Sequence, residues 1–165
     1  MDTFLAIASR REVRNYDDRP IPPDVERRIL EAGRVAGSAA NKQQWKFLVV
    51  EDPKRLAETV YEPANLLGAQ LVVVIVLTGQ FAFDIGRAAQ NMMLAAWNEG
   101  VGSCPNGFSD REKAVELLGV QAGEDPVIVL SFGYPARGRD PESRTAEEWV
   151  ERANRKPFDE VVKRV

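Results

Sequence analysis

The chain of 165 residues contains no histidine and a single cysteine, Cys104. The first absence removes the commonest metal ligand and the commonest general base at neutral pH. Ser-His-Asp hydrolysis, Cys-His chemistry and histidine-ligated zinc are thereby excluded, and one thiol builds neither an internal disulfide nor a four-cysteine metal site. Long apolar runs are also missing: the longest, Leu71 to Leu77, is far too short to cross a bilayer as a helix. Met1 to Ile7 lacks the basic-then-apolar order of a secretory signal, so a cytoplasmic protein is expected. Positive charge is in short supply too. A net charge of -3 argues against nucleic acid as the main partner, because phosphate backbones require a basic excess on at least one face. An enzyme so short of catalytic side chains would borrow its hard chemistry from a cofactor.

What is present suits one soluble domain. Hydrophobic residues at 44% and charged residues at 28% give a globular composition, and the length suffices to bury a sizeable core. Asp2 is placed to cap a short helix through Ser9, and Pro23 suits the first turn of a second helix in which Val25, Ile29, Leu30 and Ala32 line one side. The segment KFLVVE reads as a strand and DPKRLAETVY as a helix opened by Asp52 and Pro53. QLVVVIVLT, β-branched and continuously apolar, predicts a central strand covered on both faces. Residues 83–99 predict a long helix so apolar that it is expected to be nearly all buried, packed against its own copy in a dimer. GVGSCPNGFSD reads as a loop, DREKAVELLG as a helix capped by Ser109 or Asp110, DPVIVLSFGYP as a strand and TAEEWVERA as a short helix. Helices alternating with strands require a layered α/β or α+β domain with helices on both faces of the sheet.

Several clusters offer binding chemistry. Arg10, Arg11 and Arg14 stand at a helix exit, where they either gather around a phosphate or form a solvated basic cluster at a helix C-terminus. Ser38, Asn41 and Gln43 provide donors and acceptors for the edge of a heterocycle, with Ala39 and Ala40 leaving room, or else make a polar turn ahead of Trp45. Gly100 and Gly102 follow a helix and lack a third glycine at the dinucleotide-binding offset, but Gly102 and Gly107 permit close backbone approach to a flat ligand. Arg155 and Lys156 are two adjacent cations before a proline, and Cys104 has no histidine to activate it.

Taken together and in this order, the segments resemble the nitroreductase-like family of FMN-dependent oxidoreductases. RREVRNYDDRPIP is similar to that family's opening R-R-S-x-R-x-[FY] followed by P-[IV]-P, and AGSAANKQQWKFLVV to its A-P-S-x-x-N-x-Q-P-W-x-F-x-V. DIGRAAQNMMLAAWNEGVGSC is similar to its long central helix with a Gly-[ILV]-Gly exit, and LSFGYP with RKPFDEVV to its C-terminal G-Y-P and R-[KR]-P-L-x-E. The resemblance implies a single FMN-binding domain over residues 1–165 in the α+β class, a three-layer α/β/α arrangement around a mixed, mainly antiparallel sheet. It also implies a homodimer with FMN at the interface and NADH or NADPH as electron donor, reducing nitroaromatic, quinone or related substrates by a ping-pong mechanism.

By the same resemblance Ser38, Asn41 and Gln43 belong to the flavin cradle, and Arg10, Arg11, Arg155 and Lys156 hold the phosphate. Arg14 lies near the pyrimidine end of the ring and the backbone of Pro105, Asn106 and Gly107 near N5, with no obligatory catalytic acid or base and no metal. A guanidinium at the pyrimidine end favours the negative charge that reduction places there. The alternatives are a flavin-binding or regulatory protein without efficient turnover and a family branch acting on a dedicated metabolite. Three departures stand out: Glu12 replaces the usual Ser, and Gly37 and Gln44 replace two prolines, which is expected to loosen the loop between them.

Overall fold

The computed structural model describes residues 1–165, which form two compact units: residues 11–138, and residues 1–10 with 139–165. The larger unit is built on four antiparallel strands, β1 (Trp45–Val49), β2 (Leu71–Leu77), β3 (Gly102–Asn106) and β4 (Asp125–Gly133), in the order β1-β2-β4-β3. The parallel component is a single bridge from Glu12 to Ser103 at β3.

Strand β2 is central because its alternating side chains serve two cores. Leu71, Val73 and Ile75 pack with Val25 and Ile29 of α2 (Pro23–Arg34) and with Ile85, Met92 and Ala96 of the helix Ala82–Asn98. Val72, Val74 and Val76 pack on the other side with Leu56 of α3 (Pro53–Ala57), Leu66 of α4 (Ala64–Leu67), Phe108 and Ala114. The helix Ala82–Asn98 is α5, and Ala114 lies in α6 (Arg111–Leu118). Each fully buried Val, Leu or Ile contributes roughly 1.5–3 kcal/mol, so these two layers of aliphatic contacts dominate the energetics of the unit. The result is the expected three-layer α/β/α arrangement.

Local signals set the helix ends as anticipated. Asp52 accepts from the Lys54 amide at 3.2 Å, Asp110 accepts from the Lys113 amide at 3.0 Å, and Gly119 ends α6 at φ 62.

One expectation changes. The segment expected to be a loop contains strand β3, whose Gly, Ser, Pro and Asn are poor strand formers on their own. Pairing with β4 overrides propensity, and Pro105 is tolerated because β3 is an edge strand. Helix α5, expected to be buried with the help of its own copy in a dimer, is buried on one face within the chain. Ile85, Ala88, Ala89, Met92 and Ala96 enter the core, whereas Phe83, Gly86, Arg87, Gln90 and Asn91 are exposed. Its alanines and methionines satisfy one core on one face, and the remaining face is presented outward.

In the smaller unit, α1 (Thr3–Ser9) packs against α7 (Ala146–Arg152). Asp2 accepts from the Phe4 amide at 2.9 Å and caps α1 as expected. Helix α7 opens with a reciprocal Thr145–Glu148 capping box, and the Trp149 indole donates to the Pro141 carbonyl at 2.8 Å. A last turn of helix, α8 (Phe158–Val161), follows Pro157.

Candidate functional site

The loop between α2 and β1 is the most constrained backbone in the chain. Ala40, Asn41 and Gln43 take φ of 49°, 54° and 50°, in the left-handed region that non-glycine residues avoid. Asn tolerates it through its short amide, but Ala and Gln have no such compensation. Each left-handed non-glycine residue costs on the order of 1–3 kcal/mol and persists only where its surroundings impose it.

Those surroundings are visible. Ser38 Oγ accepts from the Gln43 amide at 3.0 Å, and Gln43 Nε2 donates to the Asn41 carbonyl at 3.2 Å, so the loop closes on itself. Asp84, buried in the first turn of α5, accepts from the Ala39 amide at 2.9 Å through Oδ2. Its Oδ1 lies 3.4 Å from Arg87 Nη1. Gln44 holds the other end: its carbonyl accepts from the Thr78 amide at 3.1 Å and its side-chain oxygen from the Gln80 amide at 3.2 Å. The loop that lacks the two prolines is therefore tied down by hydrogen bonds from the segment entering α5, instead of being loosened. Ser38 and Gln43 spend part of their capacity inside the loop. The Ser38 hydroxyl hydrogen and the Gln43 side-chain oxygen still remain for a ligand.

A second group forms around β3. The Val13 amide donates to the Ser103 carbonyl at 3.0 Å beside the Glu12–Ser103 bridge, which fixes Arg11, Glu12 and Arg14 along that strand. The approach is close: a Cβ at Gly102 would stand 2.6 Å from Val13 Cβ, so only glycine fits. Tyr16 continues inward. Its hydroxyl lies 3.0 Å from Ser131 Oγ, and Ser131 Oγ donates to the Cys104 carbonyl at 3.2 Å. Burial pushes the Tyr16 phenol well above its usual range, against the opposing effect of the Ser131 hydrogen bond.

At the far end of β3 the Pro105–Asn106–Gly107 backbone is held from one side. Asn106 is buried and its Nδ2 donates to the Glu62 carbonyl at 2.8 Å, while the Tyr61 amide donates to the Gly107 carbonyl at 3.1 Å. The Asn106 side chain is therefore occupied in fixing the end of β3 against residues 61 and 62.

The remaining candidates lie in the smaller unit. The Arg10 amide closes α1 by donating to the Ala6 carbonyl at 3.1 Å. Arg155 is exposed after the left-handed Asn154, and Lys156 pairs with Glu160 at 3.0 Å in solvent, where such a pair contributes little. Hydrogen bonds thus gather Ser38, Asn41 and Gln43 with α5, and Arg11 and Arg14 with β3. They place Arg10, Arg155 and Lys156 in the other unit.

Sequence reasoning missed Asp84 as a site residue. The one available signal was a carboxylate in the first turn of a largely apolar helix, and its partner is 45 residues away.

Comparison with known proteins identifies the family. The family described as "Putative TM nitroreductase" matches residues 2–164. An NADH dehydrogenase of Thermus thermophilus is 37% identical over 194 residues, spanning 91% of this chain and 95% of that protein. The nitroreductase family protein of Streptococcus pneumoniae shares the fold with a TM-score of 0.82 at 19% identity, covering 99% of this chain and 100% of that one. The NADPH:FMN oxidoreductase of Vibrio harveyi, complexed with NAD+, gives a TM-score of 0.76 at 25% identity over 81% of this chain and 68% of its own. A match that runs from residue 2 to residue 164, on a three-layer fold carrying the four spaced motifs, makes this chain a member of the nitroreductase family.

Proposed function

We propose that the chain is an FMN-dependent oxidoreductase that takes electrons from NADH or NADPH and passes them to nitroaromatic, quinone or related electron-poor molecules in a ping-pong cycle. The observation that carries this reading is the loop at residues 38–43. Three non-glycine residues are held left-handed there, in the segment that resembles the family's flavin cradle, and strain of this kind accumulates at ligand clamps. The name of the Vibrio harveyi relative supports both the flavin and the pyridine nucleotide.

The donor set fits FMN. Ser38, Asn41 and Gln43 present neutral amide and hydroxyl groups suited to the carbonyl and nitrogen edge of a flavin, and Arg11 and Arg14 present forked cations suited to its anionic parts. Arg10, Arg155 and Lys156 enter as phosphate ligands on the strength of the motif alone. When bound, FMN would supply the two-electron chemistry that a chain without histidine lacks. The protein's part would be to bind and orient: Arg14 would offset negative charge at the pyrimidine end, and the backbone of residues 105–107, held by Asn106 and Tyr61, would help to orient the ring. Residues 1–165 are taken as one functional domain in a cytoplasmic homodimer, whose interface would cover the outward face of α5, where Phe83 is 78% exposed.

The test is spectroscopic. Purified protein given excess FMN and then desalted should retain the flavin's visible absorption, and anaerobic NADH or NADPH should bleach it. A protein that emerges colourless overturns the assignment. One that stays coloured but is not bleached by either donor is a flavin-binding protein without turnover. Sedimentation at micromolar concentration should give a dimer, and a stable FMN-loaded monomer would refute the shared interface.

A further inference from the structure

We propose that Asp84 is the positioning residue of the ligand loop: its carboxylate holds Ala39 and, through it, the left-handed run at residues 40–43 in binding geometry. The inference rests on the reading of that loop as part of the flavin site.

Asp84 is only 5% exposed. A carboxylate so deeply placed is retained where its charge is satisfied, and here the satisfaction is unusual. It stands in the first turn of α5, where the helix's own amides favour an anion. One oxygen nevertheless reaches out of the helix to the Ala39 amide at 2.9 Å, a charge-assisted bond, while the other faces Arg87 at 3.4 Å. Ala39 opens the one-turn 3-10 segment Ala39–Asn41, so the tethered amide immediately precedes Ala40, a left-handed residue with no polar side chain to compensate.

The second partner of Asp84 lies against one departure from the family pattern. A Cβ at Gly37 would stand 2.1 Å from Arg87 Nη2, so the guanidinium that pairs with Asp84 occupies the space that a larger residue at 37 would fill. Where the family pattern stiffens this loop with prolines at positions 37 and 44, this chain uses the Asp84–Arg87 pair at one end and Gln44 at the other. The loop's shape is thus imposed from α5, and removing Asp84 releases it.

The experiment reads the loop without relying on turnover. Lys42 lies exposed in the loop, so the rate of tryptic cleavage after Lys42 in the flavin-free protein, followed by mass spectrometry, reports how firmly the loop is held. Asp84→Ala should raise that rate about tenfold, the loss of one charge-assisted hydrogen bond. Asp84→Asn, whose amide oxygen can still accept from Ala39, should raise it much less. FMN titration of the same flavin-free proteins should show affinity falling about tenfold for Asp84→Ala.

Adding Ala40→Gly to Asp84→Ala should restore part of that affinity, because glycine takes φ near 49° without penalty. A general loss of folding would not be repaired in this way. Equal cleavage rates and equal FMN affinities for wild type and Asp84→Ala overturn the inference and leave the flavin reading intact. Loss of affinity in Asp84→Ala without repair by Ala40→Gly overturns it too, by assigning Asp84 to stability alone. A wild-type protein that fails to bind FMN overturns the flavin reading, and faster cleavage of Asp84→Ala would still establish the tether.

Discussion

Gly102→Ala puts the packing of residues 11–14 against β3 to a direct test. An added Cβ at 102 would meet Val13 Cβ at 2.6 Å, Cγ2 at 2.7 Å and Cγ1 at 2.9 Å. Because Val13 Cβ itself is in contact, no rotamer change relieves the clash. Restoring an ordinary carbon separation of about 3.5–4.0 Å requires the segment to withdraw by about 1 Å. That movement breaks the Val13 amide bond to the Ser103 carbonyl, now 3.0 Å long. Overpacking costs about 1–3 kcal/mol and the hydrogen bond about 1 kcal/mol, together about 2–4 kcal/mol. At about 2–4 °C per kcal/mol for a chain of this size, the melting temperature should fall by about 4–16 °C in scanning calorimetry.

Arg11 and Arg14 flank Val13 and move with it, so FMN affinity, read by quenching of flavin fluorescence, should weaken by about fivefold, or about 1 kcal/mol. Combining the change with Val13→Ala removes two of the three contacts and should recover part of the melting temperature. A Gly102→Ala protein that melts within about 2 °C of the wild type and binds FMN equally would refute the argument, since it would show that the segment yields without cost.

Other changes probe the remaining groups. Arg10→Ala and Arg155→Ala should each weaken FMN binding by about 1.5–3 kcal/mol, as expected for hydrogen bonds to a charged group, and unchanged affinity in both would return them to solvated surface. Glu12→Ser should tighten FMN binding by about 1 kcal/mol at low salt, with a smaller gain at high salt, if the carboxylate acts on the phosphate as a like charge; weaker binding would show instead that Glu12 orients an arginine. Tyr16 bears on pH. Its phenol is held protonated in the folded state above the unfolded value of about 10, so the folded state binds the extra proton and stability should decline as pH rises past about 10. Tyr16→Phe should flatten that alkaline decline in melting temperature, and an identical decline in the variant would remove Tyr16 as its source.

The sequence by itself determined the features whose cause is local. Asp2, Asp52 and Asp110 cap the next turn of chain, so the starts of α1, α3 and α6 were legible within three residues. The short, β-branched and unbroken apolar run of β2 announced a strand buried on both faces, because β-branched side chains favour a strand and a strand covered on both sides is apolar at every position. The four motifs likewise carried the family. Tertiary structure alone decided the rest. Gly102–Asn106 became a strand only because β4 supplied partners for a segment without strand propensity of its own. Packing also settled the faces of α5: Ile85, Ala88, Met92 and Ala96 meet the core, and Phe83, Arg87, Gln90 and Asn91 turn outward. The left-handed turn at Ala40 has no local signal at all: its tether, Asp84, lies 45 positions along the chain, and only folding brings a carboxylate to an amide at that distance.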